Sequence, residues 1–62
     1  MKKFLIVDDH EIVRKGVKQI LSELYFPCTI QEAFNEESAL QELKEHNFQL
    51  VLLDVQLPDT NP

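Results

Sequence analysis

With 62 residues the chain holds at most one small domain, of a size that buries only about 60% of its unfolded surface. Its 44% hydrophobic content argues against disorder, and its net charge of −5, with no basic stripe, argues against nucleic acid as a direct partner. Cys28 is the only cysteine, which excludes an intrachain disulfide; the short apolar runs rule out a membrane span and a signal-peptide core and fit a cytoplasmic protein.

Lys3 to Val7 reads as a strand, apolar on both faces as in a parallel sheet covered above and below. From about residue 10 to 25 the period becomes helical. Ile12, Val13, Gly16, Val17, Ile20, Leu21 and Leu24 form an apolar stripe, and Glu11, Arg14, Lys15, Lys18, Gln19, Ser22 and Glu23 line the opposite face. Glu11 and Lys15 have the spacing of a favourable ion pair. Pro27 ends this helix and opens a second extended run, Cys28 to Phe34, whose polar Thr29, Gln31 and Glu32 mark an edge strand; Cys28 itself reads as a small buried hydrophobe. Asn35 fits an N-cap, with Glu36 and Glu37 in the first turn, where the helix dipole favours negative charge. This helix extends to about residue 46 on a thin apolar face of Ala39, Leu40 and Leu43, with His46 as a dipole partner at its end. Phe48 to Leu53 forms a third strand that stops at Asp54, and the tail LPDTNP is turn-forming.

The order is β-α-β-α-β, an α/β pattern that predicts a parallel sheet with right-handed crossovers. With the first strand central, order 2-1-3, one helix covers each face. The carboxyl ends of the first and third strands then meet at the switch point where such sheets bind ligands. That placement brings Asp8, Asp9 and Asp54 together. Three neighbouring carboxylates repel, so at least one pKa should rise unless a cation is present. An oxygen-only donor set of this kind suits Mg²⁺, and a carboxylate beside such an ion can act as a nucleophile toward phosphorus. Taken singly the residues have plainer readings: Asp9 as a helix cap and Asp54 as a turn residue after a strand. Capping leaves Asp8 and Asp54 unexplained.

The stretches LIVDDHEIVRKGVKQIL and FQLVLLDVQLPD resemble the two N-terminal signatures of response-regulator receiver domains, the phosphoacceptor modules of two-component signalling. The wording VDDHEIVRKG is closest to the LuxR/NarL-type subgroup. The resemblance implies a partial flavodoxin-like (CheY-like) three-layer fold, with residues 1–62 as the N-terminal portion of a receiver. It also implies Asp54 as phosphoacceptor, Asp9 as a direct Mg²⁺ ligand, Asp8 as a ligand mostly through water, and the backbone carbonyl of Gln56 as a further ligand. Pro58 after Leu57 would shape the following loop. The implied partner is a sensor histidine kinase or phosphotransfer protein, docking on the first helix near Arg14, Lys15 and Lys18; without that, these residues read as a solvated face. The implied output is transcription control in an intact parent, with no enzymatic activity of its own.

Two departures stand out. Pro62 occupies a position where the family usually has Gly. Family members also run to about twice this length, and their second half supplies two further strands, a switch Ser or Thr, and a Lys that contacts the phosphoryl group. The chain alone is therefore expected to phosphorylate slowly, and a non-phosphorylatable interaction or dimerising module is the alternative reading. The third strand, apolar on both faces and unprotected by Pro or Lys, would be the edge through which it self-associates. Haloacid-dehalogenase phosphatases need an Asp two residues after the nucleophile, which neither Asp54 nor Asp8 has. A dinucleotide fold needs a glycine-rich loop, and Gly16 is the only glycine. His10 reads as a solvated residue of the first helical turn. Phe4, Phe26, Phe34 and Phe48 read as core or edge cover.

Overall fold

The computed structural model describes residues 1–54. Five elements follow one another: β1 (Lys2–Val7), α1 (Glu11–Leu24), β2 (Cys28–Ala33), α2 (Glu36–Glu45) and β3 (Leu50–Leu53). The sheet is parallel throughout and its order is β2-β1-β3, as the sequence predicts.

β1 takes the centre because both of its faces are apolar. Leu5 and Val7 point to one side and pack with Ala33, Ala39 and Phe48 under α2. Phe4 and Ile6 point to the other and pack with Val17, Leu21, Cys28, Ile30 and Leu52 under α1. The alternation of a single strand thus divides the core into two layers, one for each helix. Cys28 is half-buried in the second layer, and Phe4 adds an edge-to-face contact with Tyr25, ring centroids 5.4 Å apart.

α2 begins as the sequence indicates. Asn35 Oδ1 accepts from the Ser38 N–H at 2.7 Å, and Ser38 Oγ in return accepts from the Asn35 N–H at 3.2 Å. This capping box satisfies two amides that the first helical turn leaves without partners. At the other end His46 does more than face the dipole. Its Nδ1 lies 3.2 Å from Lys3 Nζ and its Nε2 lies 3.7 Å from Glu42, so the ring joins the end of α2 to the start of β1.

α1 departs from expectation. Val17 and Leu21 meet the sheet, but Ile12, Val13, Ile20 and Leu24 are exposed. At about 100° per residue, Val17 and Leu21 lie at one margin of the apolar stripe, so the helix is rolled toward β2. The cause is Glu32. Its Oε1 accepts from Arg14 Nε at 2.8 Å and from Lys15 Nζ at 3.1 Å. Its Oε2 accepts from Lys15 Nζ at 3.1 Å and from Lys18 Nζ at 3.2 Å. The basic residues expected on a solvated face converge on one strand carboxylate, and Lys15 turns to Glu32 rather than pairing with Glu11. Phe26 and Phe34 are exposed too, against the expectation of core or edge cover.

Partial burial works against the Glu32 charge, but the Arg14, Lys15 and Lys18 bonds outweigh it and hold the pKa at about 2, below the ordinary 4.5. The carboxyl is more acidic folded than unfolded, so its contribution is complete above about pH 4.5 and is lost as pH falls through about 2. Glu32→Gln should therefore cost about 1–2 kcal/mol at neutral pH, a linkage figure reduced because Lys15 and Lys18 are half in water. Urea titrations of both chains should show the gap at neutral pH and its near disappearance close to pH 2. An equal gap at both would show that the Glu32 charge contributes nothing.

Candidate functional site

Register builds the site. Val7 stands opposite Ala33 on one side and Leu53 on the other, so β1 and β3 end at the same level. The next residues remain tied across the sheet: the Asp8 N–H donates to Ala33 O and the Asp54 N–H to Val7 O, each at 3.0 Å. Asp8 and Asp54, 46 positions apart in sequence, thereby come to one edge with Asp9 beside them.

Ligand atoms of Asp8, Asp9, His10 and Asp54 all lie within 4.8 Å of one another. His10 was read as solvated. Its side chain is indeed 61% exposed, yet its Nδ1 sits 3.0 Å from Asp8, 2.9 Å from Asp9 and 3.7 Å from Asp54. Residue-type reasoning missed this because an exposed ring next to a carboxylate pair carries no periodic signal. The chain reaches these positions through a tight turn in which the His10 N–H donates to Asp8 Oδ1 at 2.8 Å. The plainer reading of Asp9 as a helix cap does not hold: His10 has the N-cap position of α1 without a side-chain cap bond, and Asp8 supplies the nearby acceptor.

The electrostatics follow from that turn. The Asp8 carboxyl is held below its ordinary value, chiefly by the His10 backbone N–H; burial opposes this and the His10 ring assists. His10 is raised above 6.5, first by its hydrogen bond to Asp8 and then by the charge of Asp9. The His10 backbone and ring thus stand among the three converging carboxylates as hydrogen-bonding partners, and Asp8 moves down rather than up.

The oxygens of Asp8, Asp9 and Asp54 fit a hard divalent cation such as Mg²⁺, which takes carboxylates and retains water. Beside them Ile6, Val7, Val17, Leu52 and Leu53 join Asp8 and Asp54 in lining a cleft of about 180 Å³. Low-polarity walls of this kind strengthen charge interactions at the mouth. The Gln56 carbonyl, Leu57, Pro58 and Pro62 lie outside the described residues. No described helix is long and apolar enough to cross a membrane.

The chain is similar in sequence to several response regulators. The chain is 34% identical over 58 residues to response regulator GacA of Pseudomonas syringae, covering 94% of the chain and 27% of that protein. It is 35% identical over 57 residues to the nitrate/nitrite response regulator protein NarL of Escherichia coli, covering 92% and 26%. Stress response regulator protein 1 of Scheffersomyces stipitis is 38% identical over 56 residues, covering 90% and 19%. The chain therefore spans about a quarter or less of the length of these curated relatives. No solved structure gives a significant match. The sequence model of the response regulator receiver domain matches residues 4–61, and with that match running almost from end to end, the chain belongs to the response regulator receiver domain family.

Proposed function

We propose that this receiver accepts a phosphoryl group on Asp54. The observation that carries the reading is the meeting of Asp8, Asp9 and Asp54 at the carboxyl ends of β1 and β3. An Asp54 oxygen attacks phosphorus in line. The bond from phosphorus to the donor, a phosphohistidine of a sensor kinase or phosphotransfer protein, breaks, and an aspartyl phosphate remains. Asp8, Asp9 and Asp54, with the Gln56 carbonyl, would hold Mg²⁺, which when bound offsets the charge brought together. His10, at the same edge, has its Nδ1 3.0 Å from Asp8 and 2.9 Å from Asp9. The chain is a phosphoacceptor rather than an enzyme, and it acts in the cytoplasm as the input portion of a transcription regulator.

The test is incubation with a small acyl phosphate, followed by intact-mass measurement and mapping of the modified peptide. Slow, Asp54-specific, Mg²⁺-dependent modification is expected. Its absence after long incubation, or its appearance on another residue, would overturn the reading.

One observation favours a second reading, a module that acts by pairing with other chains. Among the described residues β3 pairs with β1 alone, and its Val51 and Leu53 side chains are exposed. An apolar strand edge of this kind is a template for another strand. Sedimentation should then show concentration-dependent dimers that Leu53→Lys shifts to monomer, and a monomer at every concentration would remove this reading.

A further inference from the structure

The geometry points to Arg14 as a positioning residue for the acidic site: by bridging Glu32 to the Asp8 carbonyl oxygen it fixes the Asp8–Asp9 peptide and so aims both carboxylates. The inference builds on the phosphoacceptor reading of that site. Arg14 Nε donates to Glu32 Oε1 at 2.8 Å, and its Nη1 donates to the Asp8 carbonyl oxygen at 2.8 Å. Both side chains are largely sheltered, with 13% of Arg14 and 18% of Glu32 exposed. An exposed ion pair would merit little attention, since such pairs contribute about 0–1 kcal/mol. This one also ends on a backbone acceptor inside the site.

The Asp8 carbonyl belongs to the peptide that links Asp8 to Asp9. A peptide unit is planar, so fixing its oxygen fixes the plane from which both side chains depart. The same residue is held from two other directions, by its N–H on Ala33 O at 3.0 Å and by its Oδ1 on the His10 N–H at 2.8 Å. Only the carbonyl contact reaches outward to a side chain of α1. Glu32, held also by Lys15 and Lys18, anchors the far side of the guanidinium on β2. Arginine suits the task because its donors diverge from a rigid plane and its charge is permanent. Lysine would have to serve both acceptors from one nitrogen at the end of a flexible stem, without the fixed divergence of the guanidinium donors.

The test uses the 62-residue chain, unaltered and as Arg14→Lys and Arg14→Gln. Two quantities are measured: exchange of the His10 amide relative to the β1 amides, and Mn²⁺ affinity by electron paramagnetic resonance. In Arg14→Lys the β1 amides should keep their protection. The His10 amide should exchange about tenfold faster and Mn²⁺ should bind several-fold more weakly, the scale of one lost charge-assisted hydrogen bond. Should Arg14→Gln fail to fold, Arg14→Lys decides alone. Unchanged His10 exchange in Arg14→Lys, or a parallel loss across β1, would overturn the proposal. If the unaltered chain bound no Mn²⁺, the metal in the phosphoacceptor reading would fall, and the His10 amide would still decide the role of Arg14.

Discussion

Leu5→Ala removes much or all of the stability of the fold in water at room temperature. Leu5 is fully enclosed in the central strand, packed between Val7, Ala33 and Ala39 on the α2 side. A buried leucine cut to alanine costs about 2–5 kcal/mol, more where neighbours cannot close the gap. Here the buried neighbours are Val7 and two alanines, which have little side chain to move inward, and Phe48 is the one large side chain packed beside them among the described residues. At typical stabilities per residue, 62 residues amount to roughly 3–9 kcal/mol, so one substitution removes much or all of it. Urea titration followed by circular dichroism should show loss of the folded baseline. Val51→Ala on the half-exposed edge strand should cost less than about 1 kcal/mol. Comparable losses at the two positions would mean that the core is not divided around β1 as described.

Asp54→Asn abolishes acyl-phosphate labelling without loss of stability. The amide keeps the shape of the side chain but removes the nucleophilic oxygen charge, so modification should fall to background. The same change removes one of three clustered carboxylates. Lost repulsion is offset by lost attraction to His10, whose Nδ1 lies 3.7 Å from Asp54, so the melting temperature should change little. Labelling that survives in Asp54→Asn would move the acceptor elsewhere. A marked fall in melting temperature would show that Asp54 chiefly supports the fold.

The strands were legible because alternation and apolarity need no knowledge of neighbours. Phe4 to Val7 had to be central, and once it was, Asp8 and Asp54 had to meet. Asn35 was legible as a cap for the same local reason. The roll of α1 was not, because stripe width alone does not say which margin faces the sheet; the answer came from Glu32, a strand residue read only as a sign of an edge. A signal for it did exist in Arg14 and Lys18, four apart on one helix face and preceding an acidic strand residue. The contacts of His10 with the aspartates were not legible because they depend on a two-residue turn around Asp8, which spacing does not encode.

The equal ending of β1 and β3 has a kinetic consequence. Asp8 and Asp54 meet only when the third strand has docked, and only in one register, since a slip of one residue would send Asp54 to the opposite face. Among the described strands that pairing closes the longer loop, and it is slow to form relative to local contacts. Whatever binds across the two aspartates therefore selects molecules whose third strand is seated correctly, and by mass action it draws the population toward them.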